Sequence, residues 1–118
     1  MRDLAPDILR QRLLIEGHYR AAVDRELVER YLVELARHLD LRVYGEPLVH
    51  SPGGIGKAEN QGFDAFIPLI DSGISLYVWT VRRFFAVVLF TCKRFADEEA
   101  VEFTRRFFSA SELESRAF

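Results

Sequence analysis

Two side chains that can do chemistry stand at the ends of two neighbouring apolar segments. Ser72 opens the segment that ends at Trp79, and Cys92, the only cysteine, closes the segment that begins at Phe84. A serine hydroxyl can act as a nucleophile when a nearby group activates it, and a thiol can transfer a proton. Either residue alone is most often structural. The case for chemistry therefore rests on the two together.

The two segments have the pattern of adjacent β-strands. Residues 72–79 and 84–92 alternate with period two and are rich in β-branched and aromatic side chains, and residues 80–83 join them. This pattern is typical of strands, and such a short connection is typical of a hairpin. The predicted hairpin places Ser72 and Cys92 one strand apart at the same end.

The rest of the chain predicts further strands and two helices. Asp24 stands where an N-cap belongs, before a helix that runs to about Leu39. Residues 96–109 predict a second helix with acidic residues first and arginines last. The tail from Ala110 is predicted to be short and polar. Further strands are predicted over residues 12–20, 41–49 and 63–70.

This order, β-α-β-β-β-β-α, predicts an α+β fold: a two-layer α/β sandwich with a mainly antiparallel sheet and two helices on one face. The strands are nevertheless apolar on both faces, as in the neighbouring pairs Phe66 and Ile67 or Val87 and Val88. An apolar face that no helix covers needs a partner, and the simplest partner is a second copy packed sheet on sheet. We expect a single domain over residues 1–118 that forms a homodimer.

Composition excludes several function classes. A net charge of −2 gives no field for nucleic acid or an anionic membrane. One cysteine forms no internal disulfide, and neither a signal segment nor a membrane-spanning run is recognisable, so a cytoplasmic protein is expected. The three histidines and Cys92 lack metal-ligand spacing, so no metal site is expected. The glycine-rich loop lacks Ser or Thr after Lys57, which argues against a phosphate-binding loop.

The motifs around the hairpin, taken in order, resemble those of the bacterial S-adenosylmethionine decarboxylase proenzymes. Leu14-Ile15-Glu16 lies in the first predicted strand, Asp71-Ser72-x-Ile74-Ser75-x-x-x-Trp79 opens the hairpin, and Phe90-Thr91-Cys92 closes it. The family pattern is Glu-Ser-His-Ile-Ser-Ile-His-Thr-Trp-Pro-Glu, followed one strand later by Phe-Thr-Cys. The Ser-to-Trp and Trp-to-Cys spacings match without a gap. The resemblance covers about residues 12–109 and implies short two-layer α/β chains that dimerise through their sheets.

The resemblance implies a pyruvoyl enzyme that cleaves itself between Asp71 and Ser72. In the family the serine hydroxyl attacks the preceding carbonyl, and the serine becomes a pyruvoyl group, a ketone that serves as the electron sink for decarboxylation. By the same match, Cys92 returns a proton to the α-carbon, and Ser75 corresponds to a serine that assists processing. The implied substrate is S-adenosylmethionine, and the implied role is spermidine synthesis.

Several positions depart from the family pattern. Tyr77 replaces a histidine that helps processing, and its ordinary pKa of about 10 makes it the poorer acid–base group at neutral pH. Gly73 replaces the histidine after the serine. Val81 replaces a glutamate that holds the ribose hydroxyls, and valine cannot accept those hydrogen bonds. His50 aligns with an aromatic residue that stacks on adenine. The positions expected to contact substrate are therefore His50, Trp79 and Val81.

These departures leave three functions open. The first is a decarboxylase of S-adenosylmethionine. The second is a pyruvoyl decarboxylase of another amino acid, such as arginine or ornithine, or of a specialised metabolite, which Val81 favours. The third is an unprocessed, non-catalytic homologue that binds a small molecule or a protein partner, which Gly73 and Tyr77 favour. Self-cleavage distinguishes the third from the others, and a nucleoside requirement distinguishes the first from the second.

Overall fold

The chain folds as an antiparallel sheet with two helices packed against it. A computed structural model describes residues 1–118. The strands are β1 (Gln11–Tyr19), β2 (Leu48–His50), β3 (Gly62–Leu69), β4 (Ser72–Trp79), β5 (Phe84–Thr91) and β6 (Ala110–Ala117), and the helices are α1 (Arg25–His38) and α2 (Asp97–Phe108). The six strands lie in the order β2-β3-β4-β5-β1-β6. The predicted α+β class is confirmed.

Both helices follow their sequence signals. The Asp24 carboxylate accepts a hydrogen bond from the Leu27 amide at 2.8 Å, which caps the first turn of α1. At the other end of the chain, α2 begins with three acidic residues and has Arg105 and Arg106 in its last turn, so both ends suit the helix dipole. The buried stripe of α1 consists of Val28, Tyr31, Leu32, Leu35 and Ala36.

The two helices are joined by one buried hydrogen bond and fixed to the sheet by aromatic packing. The hydroxyl groups of Tyr31 and Thr104 lie 2.7 Å apart, and Thr104 donates to the Ala100 carbonyl at 2.7 Å. Tyr31 is therefore the donor to Thr104. Complete burial raises the pKa of the Tyr31 hydroxyl. Below the helices, the rings of Phe108 and Phe85 stack with centroids 4.4 Å apart.

The main departure from the predicted element order is β6. Residues 110–117, expected as a polar tail, pair with β1 along its length, with Leu113 opposite Gly17 and Ala117 opposite Leu13. Ser109 takes a left-handed conformation, φ 49°, which ends α2 and turns the chain into this strand. Because β6 is an edge strand that buries little, its composition is polar and carries almost no hydrophobic pattern.

The strand predicted over residues 41–49 is also shorter than expected. Only Leu48–His50 pair with β3, apart from a single bridge between Val43 and Leu69. Pro47 lacks the amide that a continuous ladder requires, so the strand is interrupted before it. The segment that includes Arg42 instead runs beside the end of β3, where the Arg42 carbonyl accepts from the Ile70 amide at 2.9 Å.

The helices cover one face of the sheet and leave the other without a covering layer. Core residues such as Ile15, Ile74 and Val87 are fully buried beneath α1 and α2. On the uncovered face, strand register aligns Phe66, Ser75, Val88 and Leu14 in one row. Three aromatic residues of this face, Phe66, Tyr77 and Phe90, are 38%, 37% and 43% exposed. No helix is long and apolar enough to cross a membrane.

Candidate functional site

The peptide bond between Asp71 and Ser72 lies at the tight turn from β3 to β4. Ile70 and Asp71 form the turn, and Ser72 pairs with Leu69 on one side and Thr91 on the other. The φ of Ser72 is 118°, a region that residues with side chains rarely adopt. Such strain costs about 1–3 kcal/mol and persists only where the surrounding structure imposes it. Here Ser72 lies between two ladders at the start of β4, directly after the β3–β4 turn.

The carbonyl that precedes Ser72 is held by the backbone of the neighbouring strand. The Asp71 carbonyl oxygen accepts a hydrogen bond from the Cys92 amide at 2.9 Å. An amide in this position stabilises the negative charge that develops on oxygen when a nucleophile attacks the carbonyl carbon. The site thus combines a polarised carbonyl with a serine one residue away. These features fit the conversion of Ser72 into a pyruvoyl group.

The Asp71 side chain is buried and bound by Arg42. The whole residue is 4% exposed, and its carboxylate accepts from the Arg42 amide at 3.2 Å and from the Arg42 guanidinium at 3.1 Å. These side-chain and backbone hydrogen bonds hold the pKa of Asp71 below its ordinary value, and the positive charge of Lys93 acts in the same direction. Lys93 in turn pairs with the Asp40 carboxylate at 3.3 Å.

Cys92 lies just beyond the end of β5 and is exposed. It follows Thr91, the residue that pairs with Ser72, so the sequence expectation that the hydroxyl and the thiol occupy one end of the hairpin agrees with the register. The buried Thr91 hydroxyl donates to the Lys93 carbonyl at 2.7 Å and bends the chain after the strand. The structure therefore brings Asp71, Ser72 and Cys92 together.

Ser75 and Tyr77 point away from the core, onto the uncovered face. Ser75 pairs with Phe66 and Val88, and Tyr77 pairs with Asp64 and Ala86. Tyr77 is five residues after Ser72 on the same strand. At a rise of about 3.3 Å per residue, the two lie roughly 16 Å apart along β4. Within one chain, Tyr77 is therefore not brought to Ser72.

Gly73 has a steric reason to lack a side chain. A Cβ atom at this position would lie 2.5 Å from two atoms of the Phe66 ring, so that ring occupies the space. Phe66 is on the neighbouring strand, and its position on the uncovered face is incompatible with a histidine at residue 73 unless the ring moves. The Phe66 ring thus occupies the space that a side chain at residue 73 would need.

The three expected substrate-contact positions lie away from Ser72. Trp79 ends β4, with its ring 5.3 Å from that of Phe84, and Val81 is 65% exposed in the β4–β5 turn. His50 is exposed on the edge strand β2, paired with Asp64, which in turn pairs with Tyr77. None of the three is gathered with the Asp71–Ser72 bond inside one chain.

Arg42 is the residue of this site that sequence reasoning missed. It stands 29 residues before Asp71, in an irregular segment with no recognisable motif. The only available signal was general: an acidic residue in a tight turn between two buried strands needs a cationic or amide partner. That expectation identifies the need but not the residue that meets it.

Comparisons with known proteins agree with the fold and identify the family. The model of the S-adenosylmethionine decarboxylase family matches residues 12–118. The fold is similar to the crystal structure of the adenosylmethionine decarboxylase from Aquifex aeolicus VF5, with a TM-score of 0.74 and 15% identity over 94% of this chain and 89% of that one. No curated protein sequence matches significantly. The family match spans the Asp71–Ser72 bond, Cys92 and β6, and the chain belongs to the S-adenosylmethionine decarboxylase family.

Proposed function

We propose that this chain is a pyruvoyl-dependent decarboxylase of S-adenosylmethionine that matures by cleaving itself between Asp71 and Ser72. One observation carries the proposal. Ser72 is strained at φ 118°, and the carbonyl before it already accepts a hydrogen bond from the Cys92 amide. A strained residue next to a polarised carbonyl is what an internal acyl shift requires. We propose a role in spermidine synthesis on the basis of the family membership.

The proposed cleavage uses atoms of Asp71 and Ser72, together with one water. The Ser72 hydroxyl adds to the Asp71 carbonyl carbon, and the charge forms on the oxygen that the Cys92 amide contacts. The C–N bond then breaks, the Ser72 amine takes up a proton, and an ester links the two parts. Removal of the Ser72 α-proton breaks the ester C–O bond and releases the Asp71 carboxylate. Hydrolysis of the remaining dehydroalanine releases ammonia and leaves a pyruvoyl group.

The Cys92 thiol is proposed to serve decarboxylation rather than cleavage. A pyruvoyl group at residue 72 supplies the ketone that accepts the electron pair when carbon dioxide leaves the substrate. The α-carbon of the substrate then needs a proton. The exposed Cys92 thiol, one residue beyond the strand partner of Ser72, can deliver it. Its backbone amide and its side chain would thus act in two different steps.

We further propose that the active form is a homodimer packed through the uncovered sheet faces. The exposed aromatic residues Phe66, Tyr77 and Phe90 provide the apolar area for such packing. The spacing along β4 keeps Tyr77 roughly 16 Å from Ser72 of the same chain. Tyr77, and with it His50 and Trp79, could therefore contribute to the site only from a second copy.

A second substrate class is favoured by one residue. Val81 is exposed in the β4–β5 turn, and its side chain has no atom that accepts a hydrogen bond from a ribose hydroxyl. This favours an amino-acid substrate without a nucleoside, such as arginine or ornithine. Release of carbon dioxide by the processed protein, measured with S-adenosylmethionine and with each of these amino acids, distinguishes the two classes.

The intact mass of freshly purified protein under denaturing conditions tests self-cleavage. We expect two species, one ending at Asp71 and one beginning at residue 72, the latter lighter than the plain peptide by the mass of ammonia. The Ser72→Ala variant is expected to stay full length. A wild-type chain that remains full length for days would overturn the proposal and favour a non-catalytic homologue. Cleavage of Ser72→Ala would overturn the role of the hydroxyl.

A further inference from the structure

Asp71 is held at its side-chain carboxylate and at its backbone carbonyl, and different parts of the chain hold the two groups. Its carboxylate accepts from the amide and the guanidinium of Arg42 at 3.2 Å and 3.1 Å, whereas its backbone carbonyl accepts from the Cys92 amide at 2.9 Å. The carboxylate is almost completely buried, although the Arg42 side chain is largely exposed. We call the two contacts from Arg42 the carboxylate clamp.

The backbone of Arg42 is itself fixed to the turn that it clamps. Its carbonyl accepts from the Ile70 amide at 2.9 Å, and two residues later the Tyr44 amide donates to the Pro68 carbonyl at 2.9 Å. An exposed ion pair between two free side chains contributes little to stability. The clamp is of a different kind. One of its donors is a backbone amide that is held in place, and the other is a charged group, which makes the stronger kind of hydrogen bond.

We propose that Arg42 is a positioning residue for self-cleavage, which acts through Asp71. With the carboxylate fixed, the Asp71 peptide plane cannot rotate, so its carbonyl stays on the Cys92 amide and Ser72 stays in its strained conformation. Without the clamp, a turn of two residues can relax by rotating about Asp71. This inference rests on the proposed cleavage at Asp71. It adds a residue outside the motif that carries the family resemblance.

The clamp also suits the charge that cleavage creates. Release of the ester leaves a new carboxylate at the main chain of Asp71, beside the carboxylate that the residue already has. Two like charges this close repel each other unless cations are near. Arg42 contacts Asp71 directly, and the positive charge of Lys93 also acts on Asp71. Lys93 also pairs with the Asp40 carboxylate, so Arg42 is the main cation that compensates the new negative charge.

The proposal is tested by the cleavage rates of chains made by cell-free translation. Each rate is measured from the intact mass of the chain over time. Arg42→Ala is expected to slow cleavage at least about tenfold, as loss of a charged hydrogen bond implies, and Arg42→Lys to recover part of the rate. Arg37→Ala, which removes an exposed arginine in the last turn of α1, is the matched control and should cleave at the wild-type rate. An Arg42→Ala rate equal to wild type would overturn the inference and leave the proposed function intact.

A double-mutant cycle separates positioning through Asp71 from a general loss of stability. If Arg42 acts through the carboxylate, Arg42→Ala should add little to the slowing caused by Asp71→Asn, since both remove the ion pair between the guanidinium and the carboxylate. Effects that multiply would contradict a shared contact. A general loss of stability would instead slow cleavage by the same factor in both backgrounds, so the two causes give different results.

Hydrogen exchange of the Cys92 amide tests the clamp independently of cleavage. Measured in the full-length Ser72→Ala chain, this exchange reports whether the Asp71 carbonyl stays bound. We expect Arg42→Ala to speed it at least about tenfold and Arg37→Ala to leave it unchanged. If wild type does not cleave, the proposed function fails, and this exchange still decides whether Arg42 positions the carbonyl. Equal exchange in both variants would overturn the inference.

Discussion

Cys92 offers two separable groups to the site, its amide and its thiol. The amide contacts the Asp71 carbonyl and survives any substitution other than proline, whereas the thiol is lost in Cys92→Ala. We therefore expect Cys92→Ala to cleave itself normally but to lose decarboxylase turnover by about 100-fold or more, as removal of a general acid implies.

The measurement pairs intact mass with carbon dioxide release on the same sample of Cys92→Ala. Cys92→Ser, which keeps a hydrogen-bond donor of similar size, is the comparison and should retain some turnover. A Cys92→Ala chain that is processed and fully active would assign the thiol a packing role only. One that is not processed would show that the thiol takes part in cleavage as well.

Tyr77 is the second residue whose chemistry can be tested alone. A phenol ordinarily stays protonated at neutral pH, whereas an imidazole exchanges protons there. We expect Tyr77→His to speed self-cleavage several-fold, measured as the half-life of the full-length chain. Tyr77→Phe keeps the ring without the hydroxyl and serves as the control. A Tyr77→His half-life equal to that of wild type would show that residue 77 is not the group that limits processing.

At the scale of elements, α1 and α2 depend on a shared buried hydrogen bond. Tyr31 donates to Thr104 at 2.7 Å, with both side chains fully buried. Thr104→Val would leave the Tyr31 hydroxyl without an acceptor and is expected to cost about 1–3 kcal/mol. Tyr31→Phe removes the donor and leaves Thr104 bonded to Ala100, so about 1 kcal/mol is expected.

Urea unfolding measures the free energy of unfolding of Thr104→Val and of Tyr31→Phe. Both substitutions are made in the Ser72→Ala chain, which cannot be cleaved at residue 72 in the proposed mechanism. The double variant tests the coupling: it should be no less stable than Thr104→Val alone, since the orphaned hydroxyl is then gone. A larger cost for Tyr31→Phe than for Thr104→Val would contradict the assigned direction of the hydrogen bond.

The hairpin and the helices were predictable from sequence because their patterns are strong. Alternation over residues 72–79 and 84–92 is sustained, and Asp24 caps α1 by a side-chain contact that depends only on local sequence. The candidate site residues Ser72 and Cys92 came with the hairpin, since they stand at strand ends, and Asp71 came from the family resemblance.

β6 was not predictable in the same way. It is a polar edge strand whose pairing with β1 depends on tertiary structure. The one trace in the sequence is Gly17, where a Cβ atom would lie 2.5 Å from the Glu112 carbonyl oxygen. A glycine inside a strand indicates close approach of another backbone, but not which one. Arg42 escaped prediction for a related reason, since its contact joins residues distant in sequence.

At the scale of the whole molecule, the uncovered face has an apolar centre and a charged margin. Phe66 on β3 and Val88 and Phe90 on β5 make up the apolar centre. Glu16 and Glu114 stand opposite each other at the margin, where β1 meets β6. Two acidic residues side by side disfavour burial, so the contact area of a second copy is expected over β3, β4 and β5. This is also the half of the face that carries Tyr77.

Val88 is the position at which the dimer and the site can be tested together. It is half-buried between Ser75 and Leu14 on the uncovered face. We expect Val88→Glu to give a monomer at micromolar concentration by sedimentation equilibrium, and to lose self-cleavage if Tyr77 must come from a second copy. Ile55→Glu, at an exposed loop position, should change neither. A wild-type monomer would contradict sheet-on-sheet packing. A folded Val88→Glu monomer that still cleaves at the wild-type rate would show that one chain contains everything that cleavage requires.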